Sequence, residues 1–146
     1  QAIVRIVSQL VREGIAPKNI AVLTPYRGQL RALTDRLRQA GIPLDDPERD
    51  PVGPQQLLFA PVRTGGVAVG TVHRFQGGER DVVIFSAVIS QSRSLAFTNQ
   101  RVNLINVAVS RARKHLVVVG NRKLLARGRI TRELVGAIAD DNWVAV

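Results

Sequence analysis

Hydrophobic residues in the first 41 positions alternate between helical spacing and a short continuous run. Apolar residues recur every three or four positions up to Val11, which is typical of an amphipathic helix that ends at Gly14 and Pro17. The run 20–23 predicts a buried strand, and 27–40 predicts a second helix that ends at Gly41. The apolar positions of these helices are Ile3, Val4, Val7, Leu10 and Val11, then Leu30, Leu33 and Leu37. The chain therefore begins as helix, strand, helix.

Prolines and acidic residues then interrupt the hydrophobic pattern. Residues 42–56 mix proline with aspartate and glutamate, a composition that opposes regular structure and favours a surface loop. A metal site built from these carboxylates is the less favoured alternative. Leu57–Val62 is a candidate for an added strand, followed by a turn at Gly65-Gly66. We expect 42–66 to be a proline-rich insertion or loop within the domain.

From residue 67 onwards, strands and helices are predicted to alternate. Continuous apolar runs such as Val82–Phe85 and Leu116–Val119 favour parallel strands that are covered by helices on both faces. The predicted elements are strands over 67–70, 81–88 and 116–119, a helix over 101–113 capped by Thr98 or Asn99, a helical region over 122–139 broken near Gly128, and a closing strand or docked tail around Trp143. The predicted fold class is α/β, a three-layer sandwich with a mainly parallel sheet.

Composition narrows the class of protein. The 146 residues, of which 45% are hydrophobic, suit one compact domain with a core of its own. No apolar run approaches the roughly 20 residues of a membrane span, and the amino end lacks a secretory pattern, so we expect an intracellular protein with no membrane partner. Without cysteine and with two separated histidines, we expect no metal site built by this chain.

The charge of the chain predicts polyanionic partners. The formal net charge is +10, and most of the 21 basic residues are arginine. The planar fork of donors on arginine matches phosphate oxygens. Genome base composition is an alternative source of the arginine preference, but the net positive charge itself indicates nucleic acid, nucleotide or an acidic protein.

Three segments carry candidate chemistry. The first strand continues into Thr24-Pro25-Tyr26, a glycine-containing segment spans Gly70–Asp81, and the third segment spans Asn106–Arg113. In this order and spacing they resemble motifs IV, V and VI of superfamily 1 helicases, in the branch that contains the nonsense-mediated decay helicase and senataxin. The resemblance covers roughly residues 1–125. It implies that 1–146 is a single C-terminal RecA-like helicase domain, a P-loop NTPase fold that lacks its own P-loop, and a fragment of a larger protein.

The resemblance implies roles in binding and hydrolysing ATP. Arg111 matches the motif VI arginine that reaches the γ-phosphate, where a guanidinium neutralises charge on the departing phosphoryl group. Glu79 would accept a hydrogen bond from the ribose, while Gly77 and Gly78 let the backbone pass close to the nucleotide with positive φ. The plainer alternatives are a surface arginine in an ion pair and a simple glycine turn. For Arg113 we expect a structural ion pair, on a different side of the predicted helix.

The resemblance also implies a track for single-stranded DNA or RNA. Thr24, Pro25 and Tyr26 of the first segment and Thr71 and His73 of the second would face the strand and hold its phosphates. His73 is equally compatible with a core or surface histidine. We expect Gln29 to support the motif loop by hydrogen bonding.

Several helicase motifs are not found in this sequence. It contains no Walker lysine and no Asp-Glu pair at a strand end, so the remaining contacts to ATP and the ligands for Mg²⁺ would come from the N-terminal RecA-like domain of the same polypeptide. The segment before Asn106 also departs from the family pattern, so Arg101 is given no phosphate role.

The preferred hypothesis is the second motor domain of an ATP-dependent helicase, which is inactive alone. Two alternatives stay open, namely a non-catalytic nucleic-acid-binding or regulatory module with a degenerate helicase fold, and the motor part of a helicase–nuclease fusion.

Overall fold

The computed structural model describes residues 1–45, 65–72, 75, 78–87 and 102–144. Helices and strands alternate along most of this length. The elements are α1 (Ala2–Arg12), β1 (Ile20–Thr24), α2 (Arg27–Gln39), β2 (Leu44–Asp45), β3 (Val67–Thr71), β4 (Arg80–Ser86), α3 (Val102–Ser110), β5 (Ala112–Val119), α4 (Arg122–Leu125) and α5 (Arg129–Gly136), with 3₁₀ helices at Pro17–Asn19 and Asp140–Asn142.

The described strands form one five-stranded sheet in the order β2-β3-β1-β4-β5. Every neighbouring pair is parallel. Thr24, at the carboxyl end of β1, is opposite Thr71 of β3, and Leu23 is opposite Phe85 of β4. The chain must therefore return to the amino end of the sheet before each new strand begins, and helices lie in the connections from β1 to β2 and from β4 to β5.

Helices cover both faces of the sheet, which confirms the predicted three-layer α/β sandwich. Because side chains alternate along a strand, Ile20 and Val22 pack on one face while Ala21 and Leu23 pack on the other. The first face is covered by α1 and α2 through Ile3, Val7, Leu33 and Leu37. The second is covered by α3, α4 and α5 through Ile105, Ala108, Leu125 and Ile130. The site residues therefore lie at the ends of strands held between two apolar layers.

The helix-strand-helix beginning matches the prediction closely. Helices α1 and α2 are followed by Gly14 and Gly41, whose φ angles of 91° and 72° lie in the left-handed region that glycine adopts without steric cost. In each case the residue after the glycine donates back into the last turn, as Ile15 N–H does to the Leu10 carbonyl at 3.0 Å. Local sequence alone therefore determines where both helices end.

The prediction of a surface loop over 42–56 was wrong at its beginning. Leu44 and Asp45 form a short edge strand beside β3, and the Val67 N–H donates to the Pro43 carbonyl at 2.8 Å. Pro43 can make this bond because its carbonyl is the acceptor, and the bond does not require the backbone N–H that proline lacks. The two strands approach closely at Gly66, where a Cβ would lie 2.6 Å from the Asp45 nitrogen. Residues 46–64, with the added strand proposed over 57–62, lie outside the described residues.

The helix predicted over 101–113 ends earlier than the sequence indicated. The strand that follows it also begins earlier. Helix α3 stops at Ser110, and β5 begins at Ala112, which pairs with Arg80. Residues 112–115 are compatible with a helix by composition, but pairing with β4 offers their backbone a ladder of hydrogen bonds that a longer helix would forfeit. Arg111 therefore lies in the turn between α3 and β5, and Arg113 lies on a strand rather than on a helix.

Strand β5 is less buried than its apolar run suggested. Residues 116–119 are half-buried, because β5 is the outer strand of the described sheet and has a strand neighbour on one side only. Leu116 and Val118 still pack against one apolar layer and Val117 and Val119 against the other, so both faces of the run are covered, but only in part. Val88, the loop over 90–100 and the cap at Thr98 or Asn99 lie outside the described part.

The carboxyl-terminal region confirms the predicted break near Gly128, which separates α4 from α5. The chain then docks through Trp143, whose ring lies 4.6 Å from the Arg122 guanidinium, an arrangement that favours cation–π attraction. Up to residue 144 this segment contains no strand, so the docked tail is the alternative that the structure supports. In the described portion, no helix has the length and apolar character that crossing a bilayer requires.

Burial in the second apolar layer predicts a large difference between two valine truncations. Val83 is fully buried in β4 and Val144 is 80% exposed. We expect Val83→Ala to lower the free energy of unfolding by about 2 to 3 kcal/mol through lost transfer energy and a residual cavity. The matched control Val144→Ala should change it by less than about 0.5 kcal/mol. Urea denaturation of both variants measures the difference, and equal effects would contradict the assigned packing.

Candidate functional site

The amino ends of β4 and β5 bring together the residues that the sequence assigned to nucleotide binding. The Arg80 N–H donates to the Arg111 carbonyl at 3.0 Å, which fixes the turn that carries Arg111 beside the start of β4. Glu79 precedes Arg80 and accepts a hydrogen bond on Oε2 from Arg113 Nε at 2.9 Å. The candidate acceptor Glu79 and the candidate finger Arg111 therefore share one edge of the sheet.

The side chain of Arg111 is half-buried and carries an unused donor. Its Nε is buried and has no hydrogen-bond acceptor among the described residues. Burying an N–H without an acceptor costs about 1 to 3 kcal/mol, so such a group in a folded protein needs an explanation. An oxygen of a bound anion is one acceptor that would satisfy it.

Arg113 differs from Arg111 in having a partner in the protein. Its ion pair with Glu79 is the structural ion pair expected from the sequence, formed between β5 and the residue before β4 rather than on a helix surface. Both side chains are about half exposed, so solvent screening leaves the pair a small contribution to stability. Its effect is to orient the Glu79 carboxylate.

Gly78 does not use the backbone freedom that the sequence suggested. The described glycines with positive φ are Gly14, Gly41 and Gly65, so Gly78 does not adopt the positive φ that glycine allows. A Cβ there would lie 3.5 Å from the Phe75 ring, an ordinary contact distance. The close approach of a nucleotide to Gly78 stays a prediction, while Gly77 and His73 lie outside the described residues.

The carboxyl ends of β1 and β3 bring together the residues assigned to nucleic acid. Thr24 and Thr71 are paired in register, and both are buried, Thr24 completely. The Val72 N–H donates to the Thr24 carbonyl at 3.2 Å, so the two strand ends are joined by their backbones. Pro25 is also buried, while Tyr26 is half-buried.

The Thr24 hydroxyl is engaged inside the protein. It donates to Gln29 Oε1 and accepts from the Tyr26 N–H at 3.3 Å. Because the Thr24 side chain is fully enclosed, a phosphate contact by this hydroxyl does not fit the structure. Tyr26 is the half-buried residue of this segment.

Gln29 supports the loop, as the sequence predicted. Its amide oxygen accepts from Thr24, and its Nε2 donates to the Ser86 hydroxyl at the end of β4. Ser86 was missed by sequence reasoning. It is fully buried and lies 57 positions away in the chain, so only the parallel pairing of β1 with β4 reveals the contact.

A second ion pair joins β4 and β5 next to the residues assigned to nucleotide binding. Lys114 Nζ donates to Asp81 Oδ2 at 2.9 Å. This hydrogen bond lowers the pKa of Asp81 from its usual value of 3.8, partial desolvation acts in the opposite direction, and the charges of Lys114 and Arg113 lower the pKa further.

In the described ranges, no group of three or more histidine, aspartate or glutamate side chains converges in a way that would hold a metal ion.

The lowered pKa of Asp81 predicts that the stability of the folded state depends on pH in the acidic range. Ionised Asp81 stabilises the folded state above its unfolded pKa, near 3.8, and this contribution is lost as pH falls through the lower pKa of the folded state. We expect Lys114→Met to bring the pKa of Asp81 back toward 3.8, as followed by carboxyl NMR titration, and to reduce the loss of stability below pH 4. Lys123→Met, at an exposed lysine, is the matched control. Equal titration curves in both variants would contradict the pairing.

Comparison with known proteins gives a consistent family. The model of the family described as "AAA domain" matches residues 1–123. The chain is 33% identical over 132 residues to the ATP-dependent helicase NAM7 of Saccharomyces cerevisiae, covering 90% of the chain and 12% of that protein. It is 29% identical over 137 residues to the regulator of nonsense transcripts 1 homolog of Drosophila melanogaster, covering 93% of the chain and 10% of that protein. The chain thus spans about a tenth of the length of these relatives.

A solved structure supports the same fold. The C-terminal domain of a possible DNA helicase from Lactobacillus plantarum WCFS1 superposes with a TM-score of 0.56 at 21% identity, covering 82% of this chain and 64% of that one. The order of the three motifs, the parallel α/β sandwich and the match to the family model agree. The chain belongs to the AAA domain family and is a superfamily 1 helicase C-terminal domain of the nonsense-mediated decay type.

Proposed function

We propose that this chain is the second motor domain of an ATP-dependent nucleic-acid helicase, and that Arg111 acts as its arginine finger. The observation that carries the proposal is the buried Nε of Arg111, which lacks an acceptor in the described part of the chain and lies at the same sheet edge as Glu79. A γ-phosphate oxygen would supply the missing acceptor. A guanidinium held in that position stabilises the charge that develops on the phosphoryl group in the transition state.

Glu79 is proposed to bind the ribose of the same nucleotide. Arg113 occupies Oε2 of its carboxylate, and Oε1 makes no hydrogen bond within the described part of the chain. An ionised carboxylate can accept several hydrogen bonds, so the ion pair with Arg113 leaves capacity for a ribose hydroxyl. The ion pair would hold the carboxylate in one orientation before ATP arrives.

ATP and Mg²⁺ would be shared with a second domain. The described residues that fit a nucleotide are an arginine with an unused donor and a carboxylate, whereas no acidic cluster that fits Mg²⁺ is found among them. We assign the Mg²⁺ ligands and the remaining phosphate contacts to the N-terminal RecA-like domain of the same polypeptide. A chain with only half of the site would be inactive alone.

The opposite edge of the sheet is proposed to bind single-stranded DNA or RNA. Tyr26 and the backbone around Thr71 lie at the carboxyl ends of β1 and β3, whereas Glu79 lies at the amino end of β4. The segment from Thr71 to Glu79 therefore runs from the strand-binding edge to the nucleotide edge.

Removal of the proposed finger should stop turnover without preventing binding. In the polypeptide that includes both motor domains, we expect Arg111→Ala to lower the ATPase kcat by about 10³- to 10⁵-fold. ATP affinity should change by less than about tenfold, since the finger acts mainly on the transition state. Steady-state hydrolysis and binding of a fluorescent ATP analogue measure the two effects.

Two controls accompany that experiment. Arg127→Ala, at an exposed arginine in the turn between α4 and α5, should keep the turnover of the unmodified protein. Residues 1–146 alone should hydrolyse no ATP. Unchanged turnover in Arg111→Ala would refute the finger and favour a non-catalytic module.

The proposed strand contact should depend strongly on salt. Phosphate contacts release counterions, and two or three contacts to a single strand predict a rise of about tenfold in dissociation constant between 50 and 200 mM salt. Fluorescence anisotropy with a labelled oligothymidine measures this for residues 1–146. An affinity that does not respond to salt would contradict phosphate binding.

A further inference from the structure

Arg80 is a buried arginine next to Glu79, the proposed ribose acceptor. It is 3% exposed at the amino end of β4, and its Nη2 lies 3.7 Å from Oδ2 of Asp45, which is 9% exposed on β2. The two residues are separated by β3 and β1 in the sheet. The Arg80 side chain therefore spans the separation that these two strands create.

The same side chain also contacts two residues of the segment Gly70–Asp81. Arg80 Nη1 donates to the Glu79 carbonyl at 3.0 Å, and the guanidinium lies 5.4 Å from the centroid of the Phe75 ring. The Arg80 backbone donates to the Arg111 carbonyl. One residue thus contacts the peptide that carries the proposed ribose acceptor and the peptide that carries the proposed finger.

Stabilisation of the fold does not by itself explain a buried pair of this kind. Taking both charges out of water costs about as much as their attraction returns, and a pair of apolar residues of similar volume is often as stable or more so. The β4–β5 register also shifts between Arg80 and Val82, an irregularity of the kind that redirects a side chain beside a functional site. The arrangement therefore favours a role in geometry.

We propose that the Arg80–Asp45 pair is a positioning device for Glu79. The bond from Arg80 Nη1 fixes the Glu79 peptide, and Asp45 holds the guanidinium in the orientation that makes this bond. The carboxylate of Glu79 is then presented to the ribose before ATP binds. This inference rests on the proposed function, because it assumes that Glu79 meets the ribose, and Arg80 itself touches no substrate.

The test compares two nucleotides in the polypeptide with both motor domains. ATP carries the ribose hydroxyls that Glu79 would bind, and 2′,3′-dideoxy-ATP lacks them. The variant is Arg80→Met combined with Asp45→Asn, which removes both charges of the pair together. Glu79→Ala is the positive reference, and Arg127→Met is the surface control.

A positioning role predicts a specific pattern of kinetic constants. In the double variant, the KM for ATP should rise about tenfold, which corresponds to the loss of one hydrogen bond to a charged group. The kcat should stay within about threefold of the value for the unmodified protein. The constants for dideoxy-ATP should stay unchanged, so the preference for ATP falls toward that of Glu79→Ala. The midpoint of urea unfolding should lie close to that of the unmodified protein.

Each other result overturns the inference. An unchanged ATP preference in the double variant, with Arg111-dependent turnover intact, refutes positioning and leaves the motor function standing. An equal loss for both nucleotides shows a general structural role for the pair. Turnover that persists in Arg111→Ala removes the proposed function, and the inference falls with it.

Discussion

The parallel pairing of β4 with β5 at their amino ends is the constraint on which the nucleotide site depends. One backbone bond, from the Arg80 N–H to the Arg111 carbonyl, joins a residue that follows Glu79 to the turn that carries the proposed finger. The same pairing ends α3 at Ser110 and brings Arg113 to Glu79. A shift of one residue in this register would reverse the faces of β5 and separate these groups. The apolar layers on both faces of the sheet oppose such a shift.

The charged contacts around this edge differ in burial and therefore in what they contribute. The pairs Glu79–Arg113 and Asp81–Lys114 are exposed enough for solvent to screen them, so they orient side chains more than they stabilise the fold. Arg80 and Asp45 are enclosed, so solvent screens their interaction much less. The segment 78–81 is thus held on its exposed side by weak ion pairs and on its enclosed side by a strong constraint.

Opposite ends of one rigid sheet serve the two proposed ligands. The hydrogen bonds from Thr24 through Gln29 to Ser86 tie the ends of β1 and β4 together at the carboxyl edge. The contacts of Arg80 tie β4, β5 and β2 together near the amino edge. Because the strands between these edges are buried and closely packed, we expect the sheet to keep the two edges at a fixed separation.

The sequence by itself determined the layers, most strands, both early helix ends and the family. These features depend on local periodicity, on glycine at left-handed positions and on motif order, all of which are present in a linear chain. Tertiary structure alone decided that α3 stops before Arg111, that Leu44–Asp45 joins the sheet, and that the Thr24 hydroxyl is enclosed. It also revealed Ser86 and the pairing of Arg80 with Asp45, residues that no local pattern connects. The physical reason is that strand register and burial bring distant residues together, so whether a polar group is free, paired or enclosed depends on neighbours that adjacent sequence does not specify.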